Sequence, residues 1–171
     1  MSKIVFSLVL YRQKMKDIFP LLKSIRELSK LYENQIFLSI YDNTEVSANF
    51  SLKDFAFLNF PVKYLHNPQN IGFGKANNIN FKNYEFDSND IFIISNPDTF
   101  FESKEIQKFI NTFQKNSSIV CANPLIKNDA NSIQYTSKKN PTFLSLLIGF
   151  LPFLKLIKIF RKYDFMHKNQ N

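Results

Sequence analysis

The stretch Asp90-Ile91-Phe92-Ile93-Ile94-Ser95-Asn96-Pro97-Asp98-Thr99 decides how this chain folds. Its first half is a run of β-forming apolar residues and reads as a buried strand. Its second half is a polar turn that sets a lone carboxylate directly after that strand. Two earlier segments repeat the arrangement. Gln35-Ile36-Phe37-Leu38-Ser39-Ile40-Tyr41 reads as a second such strand and ends at Asp42. Val62 to Leu65 reads as a shorter one. It leads into Asn70-Ile71-Gly72-Phe73-Gly74-Lys75-Ala76-Asn77-Asn78, a glycine- and amide-rich turn that opens a helix. In an open α/β sheet, ligands bind outside the carboxyl ends of the strands. Three polar constellations at successive strand ends therefore describe one cleft.

Working outward, Lys3 to Tyr11 is near-continuously apolar and predicts a strand buried on both faces. Ile18, Leu21, Leu22, Ile25, Leu28 and Leu31 recur at helical spacing, so Lys16 to Tyr32 predicts a helix. Asn43 to Asn59 reads as a loop holding one short helix near Leu52 to Leu58. Further helices are expected from about Gly72 to Phe81 and from Glu102 to Phe113, and a fifth short strand at Ile119 to Ala122. Strands alternating with helices predict a mostly parallel α/β sheet with right-handed crossovers. The expected organisation is a sheet domain over residues 1–126, a polar linker over 127–141 and an apolar, basic helical tail over 142–171.

A chain of 171 residues is one domain by length, with enough material for a real core. Its net charge is +8, yet 22 basic residues include 19 Lys and only 3 Arg. Residues 1–130 carry +2 and residues 131–171 carry +6, so the excess belongs to the tail. Few arginines, no basic patch in the first 130 residues and no aromatic stacking motif exclude a nucleic-acid partner. Phe143 to Leu154 is almost wholly apolar but too short to span a bilayer, and Pro152 interrupts it. Lys155, Lys158, Arg161 and Lys162 follow, which suits peripheral contact with an anionic membrane through residues 143–162. A core helix, or an interface in a homo- or hetero-oligomer, is the other reading. The single cysteine, Cys121, cannot form an intrachain disulfide and reads as a small buried hydrophobe in a reducing compartment. Lys14 and Lys16 break the first apolar run too early for a signal peptide, so a cytoplasmic location is expected, with peripheral contact at the inner face of the membrane.

Asp98 is the sharpest candidate. A strand-end carboxylate suits Mn2+ or Mg2+, hard cations that take one or two carboxylates and complete their shells with substrate phosphates. Asn96 adds an amide beside it. Asp42 can accept hydrogen bonds from a base edge or a ribose, or instead close a local turn with Asn43-Thr44. Gly72 and Gly74 permit close backbone approach to a ligand. The turn lacks the third glycine of a dinucleotide fingerprint, and Ala76 stands where a P-loop needs Ser or Thr. His66 and His167 have no zinc-ligand spacing.

Taken together and in order, these pieces resemble the donor-binding part of family 2 glycosyltransferases of the GT-A fold, in the rhamnosyltransferase-like branch. Asp42-Asn43-Thr44 is similar to the end of that branch's second strand. Asn70-Ile71-Gly72-Phe73 with Asn77-Asn78 is similar to its Asn-x-Gly-Phe turn and double Asn, and Asn96-Pro97-Asp98 to its metal motif. Ile133-Gln134-Tyr135-Thr136 and Asn140-Pro141-Thr142 resemble the segments that come next. The resemblance implies a nucleotide-diphosphate sugar donor and a glycan or lipid-linked acceptor. It also implies inverting transfer in surface polysaccharide synthesis. Tyr11 and Asp42 would meet the base and ribose, and Asn70, Gly72, Phe73, Lys75, Asn77 and Asn78 the nucleoside side. Asn96 and Asp98 would meet the diphosphate and its metal. Family members continue into an acceptor half that carries a general base, for which this sequence offers only Asp129 and Asp164. A donor-binding remnant, or one chain of a split enzyme, is the alternative.

Overall fold

The computed structural model describes residues 2–128 and 132–134. It contains two compact units, Met1–Val120 and Cys121–Asn171. The first unit is built on a four-stranded sheet of β1 (Ile4–Leu10), β2 (Ile36–Asp42), β3 (Val62–His66) and β4 (Ile91–Ser95), in the order β3-β2-β1-β4. Every neighbouring pair is parallel. The connecting helices are α1 (Met15–Ser29), α2 (Phe73–Lys82) and α3 (Ser103–Lys115), with one short 3-10 turn at Leu52–Phe55. The periodic segments thus form the expected elements, within one to three residues at their ends. The helix expected over Leu52 to Leu58 is a single 3-10 turn.

Side-chain alternation divides β1 and β2 into two unlike faces. Ile4, Phe6, Leu8 and Leu10 of β1 join Ile36, Leu38 and Ile40 of β2 in the main core. That core is closed by Ile18, Leu21, Leu22, Ile25 and Leu28 of α1, all fully buried, and by Ile106 and Ile110 of α3. Helices α1 and α3 pack against each other there. Phe101, just before α3, stacks on Phe6 at 5.9 Å between ring centroids. At the β3 side the core is finished by aromatic rings, with Phe55 5.7 Å from Phe50 and 5.8 Å from Tyr64.

The opposite face carries α2, which packs on β1 and β2. Its apolar cluster is small, with Val9, Tyr41 and Ala76 flanked by Ile71 and Ile79. Between them lies a buried polar network. Ser7 Oγ donates to Asn77 Oδ1 at 2.6 Å, and Ser39 Oγ to Asn80 Oδ1 at 3.0 Å. Asn80 Nδ2 in turn donates to Ser7 Oγ at 2.9 Å and to the Ser39 carbonyl at 3.1 Å. Both faces of β1 are buried, as its composition predicts, but the face toward α2 sets Ser7 between Val5 and Val9.

The strand expected at Ile119 to Ala122 does not form. Asn116 instead closes a turn, its Oδ1 accepting Ser118 N–H at 3.2 Å and Ser118 Oγ at 2.7 Å, and Val120 is 91% exposed. An apolar run this short acquires strand geometry only by pairing, and among the described residues it has no partner strand. Cys121 is accordingly exposed, not a buried hydrophobe. In the second unit, β5 (Ile126–Lys127) pairs antiparallel with β6 (Ile133–Gln134), inside a segment whose polarity reads as loop. Asn128 N–H donates to the Ser132 carbonyl and Ser132 N–H to Asn128 Oδ1, each at 3.0 Å, and these bonds hold the short ladder. Asp129, Asp164 and the helical tail over 142–171 lie outside the described residues.

Candidate functional site

Four parallel strands send all their carboxyl ends to one edge. Leu10, Asp42 and His66 stand level across β1, β2 and β3, and Ser95 of β4 stands beside Leu8. The chain builds outward from β1 to β3 and then returns to the other side of β1 to lay down β4. The crevice between β1 and β4 is therefore the topological switch point, where open α/β sheets take their ligands. The residues that leave these two strands are Tyr11-Arg12 and Asn96-Pro97-Asp98.

Asp98 is exposed, and no hydrogen bond or ion pair engages its carboxylate among the described residues. Thr99 holds the turn beneath it, its N–H and Oγ1 both donating to the Asn96 carbonyl at 3.3 and 2.8 Å. The carboxylate is presented to solvent on this hydrogen-bonded turn. No group of three His, Cys, Asp or Glu side chains is assembled for a metal among the described residues. Such a site fits a cation held mainly by its substrate's phosphates, with one protein carboxylate as anchor.

At the end of β1, Arg12 has a backbone φ of 61°, a left-handed conformation uncommon outside glycine. Its N–H donates to Thr44 Oγ1 at 3.0 Å, which ties this strand end to that of β2. The guanidinium lies 4.9 Å from the centroid of the Tyr11 ring and is ion-paired with Glu45. Tyr11 Oη donates to the other Glu45 oxygen at 3.2 Å. The Arg12 hydrogen bond, reinforced by that of Tyr11, holds the Glu45 carboxyl below its usual range.

Asp42 and Asn77 sit lower than a ligand-contacting position. The Asp42 side chain is fully buried, and both of its oxygens are engaged. Oδ1 accepts Thr44 N–H at 2.9 Å and Thr44 Oγ1 at 2.5 Å, and Oδ2 accepts the Tyr64 hydroxyl at 2.8 Å. Burial first, and then the Asp42 carboxylate, pushes the Tyr64 hydroxyl well above its usual range. Asp42 thus fixes Thr44, which fixes Arg12. His66 completes this corner, its Nε2 donating to the Thr44 carbonyl at 2.8 Å. Asn77, 3% exposed, belongs to the network beneath α2 and also donates from Nδ2 to the Phe73 carbonyl at 3.0 Å.

The turn before α2 lies at the surface. Asn70 Oδ1 accepts Gly72 N–H at 3.0 Å, and Ile71 N–H donates to Asn43 Oδ1 at 3.3 Å. Gly72 adopts φ 83° and ψ 161°, a conformation all but confined to glycine. Gly74 is helical, with nothing within 4 Å of where a Cβ would stand. Phe73, Lys75 and Asn78 are exposed along the first turns of α2. The candidates therefore divide by depth. Tyr11, Asn70, Gly72, Phe73, Lys75, Asn78, Asn96 and Asp98 face solvent at the strand ends, and Asp42 and Asn77 hold that surface from below. The Asp42–Thr44 turn is the local turn that the sequence offered as the other reading of Asp42, whereas Arg12, Glu45, Tyr64, Ser7, Ser39 and Asn80 were not expected from the sequence. Their only signal there is Ser7 and Ser39 inside apolar strands, and Asn77 and Asn80 three residues apart on one helix.

A parallel four-stranded sheet flanked by helices, open at its strand ends, matches the GT-A fold. The first unit, over its described residues 2–120, is a mixed α/β sheet flanked by helices. The glycosyl transferase family 2 model matches residues 16–168, and the chain belongs to that family. A crystal structure of S. aureus TarS is similar at 18% identity and a TM-score of 0.50, over 66% of this chain and 20% of that one. The chain thus matches about a fifth of the length of that structure. No curated protein matches the sequence. Among the described residues, no helix is long and apolar enough to cross a membrane.

Proposed function

We propose that this chain binds a nucleotide-diphosphate sugar at the carboxyl edge of the sheet and transfers the sugar, with inversion, to a glycan or lipid-linked acceptor. The observation that carries the reading is the switch point between β1 and β4, where Asp98 leaves one strand with an exposed carboxylate and Tyr11 and Arg12 leave the other. Tyr11, exposed at the end of β1, would meet the base. Exposed Asn70, Phe73, Lys75 and Asn78 border the nucleoside, and Asn96 and Asp98 the diphosphate. Asp42 and Asn77 serve the same site by positioning its walls.

Asp98 would hold Mn2+ or Mg2+, which when bound neutralises charge gathering on the departing diphosphate. In the transfer, the acceptor oxygen bonds to the anomeric carbon as the bond from that carbon to the diphosphate oxygen breaks. The nucleoside diphosphate leaves with the electron pair, and the acceptor hydroxyl proton passes to a general base. Surface polysaccharide synthesis is the setting that fits an acceptor carried on lipid, with residues 143–162 as the membrane contact.

The test is calorimetric titration of uridine, guanosine and thymidine diphosphates into the full chain, with and without Mn2+. One nucleotide binds in a metal-dependent manner, and Asp98→Ala weakens that binding at least about tenfold with an unchanged far-ultraviolet circular dichroism spectrum. Equal affinity in wild type and Asp98→Ala with Mn2+ present refutes the metal assignment. Metal-dependent binding without sugar transfer or donor hydrolysis reassigns the chain to donor binding alone.

A further inference from the structure

Beyond the strand-end carboxylate, the best-organised part of the edge is the cluster of Tyr11, Arg12, Thr44 and Glu45. A diphosphate entering the switch point brings negative charge toward Asp98, itself an anion, so a cation supplied by the protein favours its binding beside one from solution. Among the described residues, Arg12, Lys14, Lys16, His66, Lys75 and Lys104 all lie in the segments that follow the strand ends, and Arg12 is the first of them after β1. His66 is committed to the Thr44 carbonyl, and Lys75 lies along α2, which packs over β1 and β2. Arg12 stands two residues beyond the end of β1, the strand that borders β4 and its Asp98 loop, and is the one fixed there by a left-handed backbone and by Thr44.

Three features mark Arg12 as more than a surface arginine. Its left-handed backbone stores strain that must be held by its surroundings, and Thr44 Oγ1, itself fixed by Asp42, holds it. Its side chain is 64% exposed, so its contacts with Glu45 and the Tyr11 ring lie at the surface and not in the core. The pair it makes with Glu45 joins two exposed groups, a weak arrangement in water. A phosphate offers the guanidinium fork a stronger, two-pronged partner than this exposed carboxylate does.

We propose that Arg12 binds the diphosphate of the donor and that Glu45 is its intramolecular competitor, holding Arg12 and the Tyr11 ring together until a donor displaces it. Donor binding then exchanges the Arg12–Glu45 pair for an Arg12–phosphate pair and frees the Tyr11 hydroxyl from Glu45, so that the ring can turn toward the base. This rests on the nucleotide-sugar reading above and assigns the anion-binding group within it.

The experiment compares each nucleoside diphosphate with its uncharged nucleoside, in the full chain with Mn2+, for wild type, Arg12→Gly, Arg12→Lys, Glu45→Gln and Arg12→Gly/Glu45→Gln. Glycine retains the left-handed backbone, so Arg12→Gly removes charge without forcing the strand end to rearrange. Arg12→Gly is expected to weaken diphosphate binding about tenfold and to leave nucleoside binding within about twofold. Arg12→Lys keeps the charge but loses the fork, and falls between the two. Glu45→Gln strengthens diphosphate binding by about threefold, and the gain vanishes when Arg12 is already glycine. Unchanged diphosphate affinity in Arg12→Gly, or an equal loss for the nucleoside, overturns the assignment while leaving the donor site standing. Weaker binding in Glu45→Gln overturns the competitor role. If wild type binds none of the diphosphates, the donor reading fails and this inference fails with it.

Discussion

Replacing Asn80 by alanine tests whether the polar face of the sheet, not the apolar one, holds α2 in place. The side chain is fully buried and makes three good hydrogen bonds, from Nδ2 to Ser7 Oγ at 2.9 Å and to the Ser39 carbonyl at 3.1 Å, and to Oδ1 from Ser39 Oγ at 3.0 Å. A fourth, to the Leu8 carbonyl at 3.4 Å, is long and adds little. Each good bond contributes about 1 kcal/mol net, and partners left buried without one cost about 1–3 kcal/mol. Ser7 keeps Asn77 and the two carbonyls keep their ladder bonds, so the penalty falls mainly on the Ser39 hydroxyl. The expected loss is about 3 kcal/mol. At about 2–4 °C per kcal/mol for a chain of this size, Tm falls by roughly 6–12 °C. Urea unfolding followed by far-ultraviolet circular dichroism measures it, as a lower midpoint at unchanged slope. Ser39→Ala alone costs about 1 kcal/mol, and the double substitution falls short of additivity by about the same amount. A loss under about 0.5 kcal/mol for Asn80→Ala, or strict additivity with Ser39→Ala, refutes the reasoning.

Two further outcomes follow from the same geometry. Gly72→Ala places a Cβ in open space but in a conformation all but forbidden to L residues, so it costs about 1–3 kcal/mol of backbone strain and weakens nucleotide binding; Gly74→Ala, helical and equally uncrowded, is neutral or stabilising, and equal thermal shifts for the two would contradict the analysis. The Tyr64 hydroxyl keeps its proton in the folded chain above its ordinary value of 10.0, so its contribution is fully present below pH 10 and is lost as pH rises beyond it. Between pH 9 and 11, urea midpoints should therefore fall more steeply for wild type than for Tyr64→Phe, and parallel pH curves would count against the Tyr64–Asp42 bond.

The sequence by itself determined the elements and the class. Periodicity at 3.6 residues placed α1 and α3, apolar β-forming runs placed β1, β2 and β4, and polar turns at their ends located the cleft, because these signals are local. Pairing is not local. Nothing in Ile119 to Ala122 distinguishes it from a short strand, yet among the described residues no strand pairs with it and Cys121 stands in solvent. Depth is not local either. Asp42 and Asp98 look alike as carboxylates after apolar strands, yet Tyr64 and Thr44 enclose the first while the second remains open. The strand order β3-β2-β1-β4 decides which strand ends are neighbours, and through them that Arg12 and Asp98 leave adjacent strands. Local chemistry wrote the list of residues, and the parallel register of the sheet chose which of them share a surface.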